Sequence, residues 1–399
     1  MNSGKDYNRY VRHIRGIVIT VVCFTIVTVI VLAGKSRING YKYNEQEEQT
    51  TEYSEGDSIP ETDEEAYELP PRTLDSSVIP YDGVNRAISC WGDSMMFGVG
   101  AGEAYVFGSE EDMLDISGWT TPDTLEYLTG IKVYNLGVSG ETSSEIALRQ
   151  GGIRMYVDNT FEVGYDNSVE VSIVDEYGSP VYMADFSAYG YVEPQESDVV
   201  YINDDMFKIT GTEESGLYIC RYSDEEVTYD AFTTVYEGTQ VITKASYERK
   251  GDILILEIGS NGGWDNYRQL ISQYDSMIQN AGCEYYIIVG DTDDPGTSIA
   301  DTTQSFRNDD GTYIGVGDTA WEATLREAYG EHFINMRTYL IENGLTDVGL
   351  RATKADYRGF RRGRISKQLR SDWTHFNSYG YYAKGLAIYA KGVELGYWG

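Results

Sequence analysis

The stretch ISCWGDSMMFGVG, residues 88–100, runs from apolar residues into a Gly-Asp-Ser turn and then into a segment with repeated glycines. Its first residues predict a short buried strand, and the residues after the turn predict the start of a helix. A strand, a turn and a helix form the first unit of an α/β sheet. Ser94 ends the turn, just beyond the carboxyl end of the strand, where open α/β sheets bind their ligands. Ser94 is therefore the first candidate for a functional side chain.

The same alternation of strands and helices is found on both sides of residues 153–249. Apolar runs predict strands, and amphipathic segments that stop at glycine predict helices. The strands are RAISCW, IKVYNLG, GDILILEIG and CEYYIIVG, and the clearest helices are ETSSEIALRQGG, DNYRQLISQYDSMIQNAG and DTAWEATLREAYG. This alternation predicts a parallel sheet with helices on both faces.

Residues 153–249 follow a different pattern. Segments such as VEVSIVD, DVVYIND and GLYICRYS alternate polar with β-branched or aromatic residues, between closely spaced turns. The pattern predicts an antiparallel β unit. We therefore expect residues 81–152 and 250–399 to form one α/β domain, with residues 153–249 inserted between two of its strands.

The composition limits the partners of the chain. Its 399 residues carry a formal net charge of −33, which disfavours nucleic acid or an anionic membrane surface as the main partner. The 35 tyrosines are typical either of sheet and core packing or of sugar-stacking surfaces. None of the four cysteines forms a C-x-x-C pair, so we expect free thiols, with no zinc site and no disulfide framework.

Residues 1–40 predict a cytoplasmic tail followed by a transmembrane signal anchor. Residues 17–33 contain no charge and are just long enough to cross the hydrocarbon core. The basic residues before them place the N-terminus in the cytoplasm and the remainder outside. A cleaved signal peptide is the alternative, because Val31 and Ala33 fit a small-x-small cleavage pattern. In either case we expect the folded part to lie outside the cytoplasm.

Residues 41–80 are acidic, polar and poor in aliphatic side chains. Such a composition predicts a disordered linker between the membrane and the folded domain. The linker contains a second Gly-Asp-Ser, residues 56–58, which no strand-like run precedes. The context of the tripeptide therefore distinguishes the two copies.

A nucleophilic serine needs a base and a group that orients the base. Of the three histidines, His13 lies on the cytoplasmic side of the apolar run, and His332 opens a short apolar strand and is interpreted as structural. His375, in SDWTHFNSYG, remains. Asp372 precedes it by three residues, and at this spacing its carboxylate can hold the imidazole in the required tautomer. The predicted catalytic residues are Ser94, His375 and Asp372.

Two further segments end strands at the same edge of the predicted sheet. Gly140, in NLGVSGET, can offer a backbone N–H, and Asn261, in LEIGSNGGW, can offer a side-chain amide. With the Ser94 N–H, these groups would form an oxyanion hole of three donors. The alternatives are a helix-leading turn at Gly140 and a left-handed turn residue at Asn261, next to Gly262.

The segments GDSM, NLGVSGET, GSNG and DWTH, in this order, resemble the SGNH hydrolases, also called the GDSL family of serine esterases and lipases. The resemblance covers residues 86–152 and 250–399. It implies a flavodoxin-like three-layer α/β/α sandwich, and a catalytic site that needs no metal or organic cofactor. Two positions depart from the family pattern: the usual Gly-x-Asn-Asp reads Gly-Ser-Asn-Gly, and Met95 follows the tripeptide in place of Leu. The missing acid leaves open what supports the Asn261 side chain.

Together, the resemblance and the predicted anchor lead us to expect a membrane-tethered serine esterase outside the cytoplasm. Its location favours a substrate in which short acyl groups, acetyl above all, are removed from carbohydrate. Its expected partners are an acylated glycan or small ester as substrate, and the membrane through the N-terminal helix. One alternative is an O-acetyltransferase acting on a cell-wall glycan. Another is a carbohydrate-binding protein that has lost catalysis, with the β-rich insertion as its binding part.

Two polar segments next to these candidates have two interpretations each. DTDDPG, Asp291–Gly296, is either an ordinary loop at the sheet edge or a contact to substrate or a cation. RATKADYRGFRRGRISKQLR, residues 351–370, is strongly basic and leads directly into Asp372. It is either a solvated loop that offsets the surrounding acidity or a cationic rim for an anionic glycan or wall polymer.

Overall fold

Two large β-sheets organise the chain in a computed structural model that describes residues 86–107, 113–165, 167–182, 199–212, 214–223, 232–298 and 304–398. The predicted anchor, residues 1–40, and the predicted linker, residues 41–80, lie outside the described residues.

The strands are numbered in chain order. They are β1 (Ile88–Gly92), β2 (Tyr105–Phe107), β3 (Met113–Asp115), β4 (Val133–Gly137), β5 (Met155–Val157), β6 (Phe161–Val163), β7 (Val169–Val171), β8 (Ile173–Asp175), β9 (Val199–Ile202), β10 (Asp205–Thr212), β11 (Gly216–Arg221), β12 (Thr233–Val235), β13 (Gln240–Thr243), β14 (Ile253–Glu257), β15 (Tyr286–Val289) and β16 (Phe333–Ile334).

The α-helices are numbered in the same way. They are α1 (Ser94–Phe97), α2 (Thr121–Thr129), α3 (Ser143–Gln150), α4 (Lys244–Glu248), α5 (Tyr267–Ala281), α6 (Ala320–Tyr329), α7 (Met336–Glu342), α8 (Gly344–Asp347), α9 (Lys354–Arg361) and α10 (Ser378–Glu394). Two short 3₁₀ helices span Gly330–His332 and Lys367–Leu369.

The parallel sheet has five strands in the order β16-β15-β14-β1-β4. Strand β1 lies between β14 and β4, and Gly92 at its end pairs with Glu257 on one side and Gly137 on the other. The three strands therefore end level with one another, and the loops that follow them start at the same edge. From β1 the chain adds β4 on one side of the sheet and then β14, β15 and β16 on the other. The point between β1 and β14 is therefore a topological switch point, which leaves a crevice at the carboxyl ends of the strands.

Both faces of the parallel sheet are buried. On β1, Ile88 and Cys90 pack in one core cluster and Trp91 packs in the other. Strand β14 alternates in the same way, with Ile255 on the first side and Leu256 on the second. Helices α2, α7 and α10 cover the first face, and helices α3, α5 and α6 cover the second. The near-continuous apolar runs in the sequence follow from this double burial.

The antiparallel sheet has seven strands in the order β7-β11-β10-β9-β13-β5-β8, and it curls into a nearly closed, barrel-like shape. Alternate side chains point inward: Leu217 and Ile219 are buried on β11, whereas Tyr218 between them is 41% exposed. The inward side chains build a third core cluster that includes Val157, Phe207 and Ile209. The period-2 pattern of the sequence reflects this one-sided burial.

The predicted fold class, a flavodoxin-like three-layer sandwich with an inserted β subdomain, is wrong. The described residues form a mixed α/β structure, in which the barrel-like antiparallel sheet has more strands than the parallel sheet and a core of its own. A local alternation pattern shows that strands exist, but not that they curl around a separate core. Among the described helices, none is both long and apolar enough to cross a lipid bilayer. The segment predicted to do so, residues 17–33, lies outside the described residues.

Candidate active site

Ser94 is the first residue of helix α1, directly after strand β1. The Asp93 side chain caps this helix by accepting a hydrogen bond from the Met95 N–H at 2.9 Å. The turn is tight because two glycines leave room for it. A Cβ on Gly92 would lie 2.7 Å from the Glu257 carbonyl oxygen, and a Cβ on Gly137 would overlap the backbone of Phe97. The local sequence thus fixes the serine at the carboxyl edge of the sheet.

His375 lies within hydrogen-bond reach of Ser94, although 281 positions separate them in the chain. The distance between Nε2 of His375 and Oγ of Ser94 is 3.0 Å. On the other side of the ring, Nδ1 lies 2.8 Å from Oδ2 of Asp372. A nucleophile, a base and an orienting carboxylate are therefore connected by successive hydrogen bonds, as acyl-transfer chemistry requires.

Three hydrogen bonds hold the Asp372 carboxylate in place, although its side chain is 47% exposed. Its Oδ1 accepts the backbone N–H groups of Thr374 and His375, at 2.9 and 2.7 Å. Partial burial acts to raise the pKa of Asp372, but the hydrogen bonds from His375 and Thr374 outweigh it, and the pKa is lowered. The carboxylate therefore stays ionised and continues to accept the imidazole N–H.

Arg370 holds the loop that presents His375. Its guanidinium donates to the Thr374 carbonyl at 2.5 Å and to the Thr292 carbonyl, in the loop after β15, at 2.7 Å. The same group lies over the ring of Phe376, 5.2 Å from the centroid. The side chain of Arg370 is only 5% exposed, so a buried group holds the loop against the edge of the sheet.

Two backbone donors face this edge. Gly140 has a φ of 84°, which permits the turn after β4 and would strain any other residue. Among the described residues, neither the Ser94 N–H nor the Gly140 N–H donates a hydrogen bond to a protein acceptor. Both groups are available to an oxyanion.

The Asn261 amide is brought to the same edge, but its donors are engaged within the protein. Nδ2 donates to Oδ2 of Asp93 at 3.1 Å and to the Glu141 carbonyl at 3.2 Å. The side chain is therefore well supported without the family's acid at the next position. An acyl oxygen that binds here has to share one of the two amide hydrogens.

The Asp93 side chain joins the loop after β1 to the loop after β14. In addition to Met95 and Asn261, it accepts the hydroxyl of Ser260 at 2.6 Å, and it is 1% exposed. Burial raises the pKa of Asp93, and the hydrogen bonds from Ser260 and Met95 act against this rise. The sequence placed Asp93 before a helix, where an acid is a common cap, but it gave no sign of the two side-chain partners.

A buried ion pair underlies the Gly140 loop. Arg149 of α3 donates to both carboxylate oxygens of Glu141 and to the Leu136 carbonyl, with the shortest contact to Glu141 at 2.7 Å. Burial raises the pKa of Glu141 to about 7, against the opposing effect of Arg149. The pair fixes the turn that exposes the Gly140 N–H.

A second buried ion pair underlies the nucleophile. Lys384 of α10 is fully buried, forms a short hydrogen bond to Glu257 and donates to the Met95 carbonyl at 3.2 Å. Burial raises the pKa of Glu257 to about 7, and Lys384 acts against this rise. Sequence reasoning missed Lys384, although its spacing from Tyr381 and Ile388 places it on the buried stripe of its helix.

The loop after β15 adds three acids beside the site. Oδ1 of Asp293 accepts the Thr374 hydroxyl at 2.8 Å, and Asp294 lies 3.5 Å from the Arg364 guanidinium. Burial raises the pKa of Asp291, and the Asp293 carboxylate raises it further. Within the described ranges, no group of three or more His, Cys, Asp or Glu side chains is arranged to hold a metal ion.

The other histidines lie elsewhere. Nδ1 of His332 contacts the Tyr286 carbonyl at 3.1 Å and the Tyr397 hydroxyl at 2.9 Å, and the ring stacks on Tyr286. These contacts are structural, as the sequence predicted. His13 lies outside the described residues.

In comparisons with known proteins, no family model, no curated protein and no solved structure matches this chain. The function is therefore inferred from the geometry of the chain's own residues.

Proposed function

We propose that the protein is a serine esterase of the SGNH type, which removes short acyl groups, acetyl first among them, from carbohydrate. The observation that carries the proposal is the line from Ser94 Oγ through the His375 ring to Asp372, with distances of 3.0 and 2.8 Å. The uncharged residues 17–33 and the basic residues before them support an activity outside the cytoplasm.

In the proposed reaction, Ser94 Oγ attacks the ester carbonyl carbon while His375 Nε2 takes the hydroxyl proton. The oxyanion that forms accepts hydrogen bonds from the N–H groups of Ser94 and Gly140, and from the Asn261 amide as a third donor. The bond to the alcohol then breaks, and the leaving oxygen takes the proton from Nε2. Water attacks the acyl-enzyme by the same route and releases the acid.

The test is ester hydrolysis by the full chain. We expect the wild type to hydrolyse p-nitrophenyl acetate faster than the butyrate and octanoate esters, and Ser94→Ala to lose the activity. Labelling of the wild type, and not of Ser94→Ala, by a serine-directed fluorophosphonate would identify the nucleophile. Equally slow hydrolysis by both proteins, with no labelling, would leave only a carbohydrate-binding role.

A parallel assay separates hydrolysis from transfer. An acetyl ester is supplied together with a glycan acceptor, and free acetate and acetylated glycan are both measured. Acetate in excess supports the esterase. Acetylated glycan that forms faster than acetate would make the protein an O-acetyltransferase instead.

A further inference from the structure

Six exposed cations form a surface next to the candidate site, here called the cationic face. Their shared property is an exposed side chain within residues 351–370. They are Arg351, Lys354, Arg358, Arg361, Arg362 and Lys367. Among the described residues, none of the six forms a salt bridge; the two cations of the segment that do so are the less exposed Arg364 and Arg370, both with Asp294.

The charge of this segment is opposite to that of the whole chain. Residues 351–370 contain eight Lys or Arg residues and one acid, whereas the chain has 64 acids and 31 bases. The one acid, Asp356, is buried, and its carboxylate accepts Thr353, Ser366 and Gln368. The cations therefore have no acid within their own segment to neutralise them.

The cationic face is rigidly built. Helix α9 begins with a capping box of Thr353 and Asp356, and Phe360 packs against the core under the parallel sheet. Arg358 and Arg361 of α9, with Arg362 at its C-cap, have the i, i+3, i+4 spacing of neighbours on one surface. The guanidinium of Arg362 lies 5.5 Å from the ring centroid of Tyr313. Guanidinium groups at this spacing on one helix suit bidentate recognition of carboxylates.

The cationic face leads directly into the catalytic loop. The 3₁₀ turn Lys367–Leu369 is followed by Arg370, whose guanidinium holds the Thr374 carbonyl. Trp373 lies between Asp372 and Thr374 and is 68% exposed, and Tyr357 on α9 is 61% exposed. Exposed aromatic rings offer apolar faces on which a sugar ring can lie. A polyol phosphate lacks such ring surfaces, so the pair of features favours a carboxylated glycan.

We propose that the cationic face binds a carboxylated glycan chain and thereby holds an acetylated sugar of that chain at Ser94. This inference rests on the proposed esterase function and names its substrate class. A single exposed ion pair contributes little to binding. A polymer contacts several cations at once. After the first contact, the effective concentration of the remaining carboxylates is high, so the overall affinity exceeds that of any single ion pair.

The test compares acetylated polygalacturonate, acetylated xylan of neutral sugars and p-nitrophenyl acetate as substrates of the full chain. The test variant is Arg358→Gln/Arg361→Gln. The matched control is Arg154→Gln/Lys208→Gln, which removes two exposed cations from the β-rich part of the chain. We expect the ratio of kcat/KM for acetylated polygalacturonate to that for p-nitrophenyl acetate to fall about 10-fold to 30-fold in the test variant, through KM. The control should keep the wild-type ratio.

Salt gives a second readout. Raising sodium chloride from about 0.05 to about 0.5 M should abolish the preference of the wild type for the charged glycan, because exposed charges are screened. An equal preference for the xylan, or an equal fall in the control variant, would overturn the proposal. Equal affinity of the cationic face for single-stranded DNA and for polygalacturonate would also overturn the proposal.

A binding experiment separates this inference from the proposed function. Ser94→Ala is titrated with de-esterified polygalacturonate, with and without the two Arg replacements. Binding that depends on Arg358 and Arg361 supports the cationic face even if no ester is hydrolysed. If ester hydrolysis depends on Ser94 but no such binding is found, the esterase function is supported and the role proposed for the cationic face is overturned.

Discussion

The parallel and antiparallel parts of the molecule differ in how many charged side chains they bury. Between Met155 and Gln240, the described residues include no buried charged side chain, and the core there is apolar. The parallel part buries eight charged groups to 6% exposure or less: Asp93, Glu141, Arg149, Glu257, Glu322, Arg337, Asp356 and Lys384. Buried charge is costly, and an apolar replacement is often as stable.

The buried charged side chains of the parallel part therefore indicate residues that have a role in addition to folding. Two of the buried pairs, Glu141 with Arg149 and Glu257 with Lys384, contact the loops that carry Gly140 and Ser94. We expect substitutions in the parallel part to change catalysis, and those in the antiparallel core to change stability alone. Substitutions in the two parts should therefore differ in their effect on kcat.

The largest effect should come from the nucleophile. Ser94→Ala is expected to lower kcat for p-nitrophenyl acetate by at least about 10³-fold, because only oxyanion contacts and binding would remain. Ser172→Ala, at an exposed serine next to β7, is the control and should keep the wild-type rate. Similar rates for the three proteins would place the chemistry elsewhere.

Asn261→Ala should have the next largest effect. Loss of one oxyanion donor lowers kcat by about 10² to 10³-fold and leaves KM nearly unchanged. Steady-state kinetics on p-nitrophenyl acetate measure both constants. Since both amide hydrogens are bonded to Asp93 and Glu141, a loss below about tenfold would mean that Asn261 only ties the loops together.

The buried pair under Ser94 should have a smaller effect on rate and a large one on stability. Lys384→Met leaves Glu257 buried without its partner and is expected to lower the free energy of unfolding by about 3 to 5 kcal/mol. The double variant Lys384→Met/Glu257→Leu should regain much of that stability. Its kcat should nevertheless stay below that of the wild type, because the Met95 carbonyl has lost its donor. Denaturant unfolding and kinetics on the same samples separate the two roles, and full recovery of kcat would restrict the pair to folding.

The raised pKa of Glu257 also makes stability depend on pH. The folded state, with this pKa at about 7, binds a proton more tightly than the unfolded state, where glutamate titrates near its ordinary value. The free energy of unfolding should therefore fall as the pH rises from about 4.5 to about 7, by on the order of 3 kcal/mol from this group. The lowered pKa of Asp372 affects the free energy of unfolding only at pH values below this range. Glu141, whose pKa burial also raises to about 7, contributes a slope of the same sign. Glu257→Gln should therefore reduce the slope without removing it, and an unchanged slope would show that Glu257 is ionised throughout.

The contrast also explains what the sequence could predict. The apolar strands of the parallel sheet and their glycine-ended helices are local patterns, and each lies where the pattern indicated. The candidate residues Ser94 and His375 were also recognised from local motifs, and the structure places them within hydrogen-bond distance. The curling of the antiparallel sheet and the ties made by Asp93 are long-range pairings with no local signal. Lys384 was visible as a charge on a buried helix stripe, but its partner Glu257 is 127 positions away.

The smallest effect on kcat should come from the antiparallel core. Ile209 is 1% exposed there, and Ile209→Ala is expected to destabilise the protein by about 2 to 5 kcal/mol through the cavity that it leaves. The site contacts around Ser94 involve no residue of β5 to β13, so kcat for p-nitrophenyl acetate should change less than about twofold at temperatures where the variant is folded. Leu256→Ala, in strand β14 of the parallel sheet, is the matched substitution and should cost similar stability while also lowering kcat, since its strand carries Glu257 and leads to Asn261. If both variants lowered kcat equally, the antiparallel sheet would take part in the site, and burial of charge would no longer mark the catalytic half of the molecule.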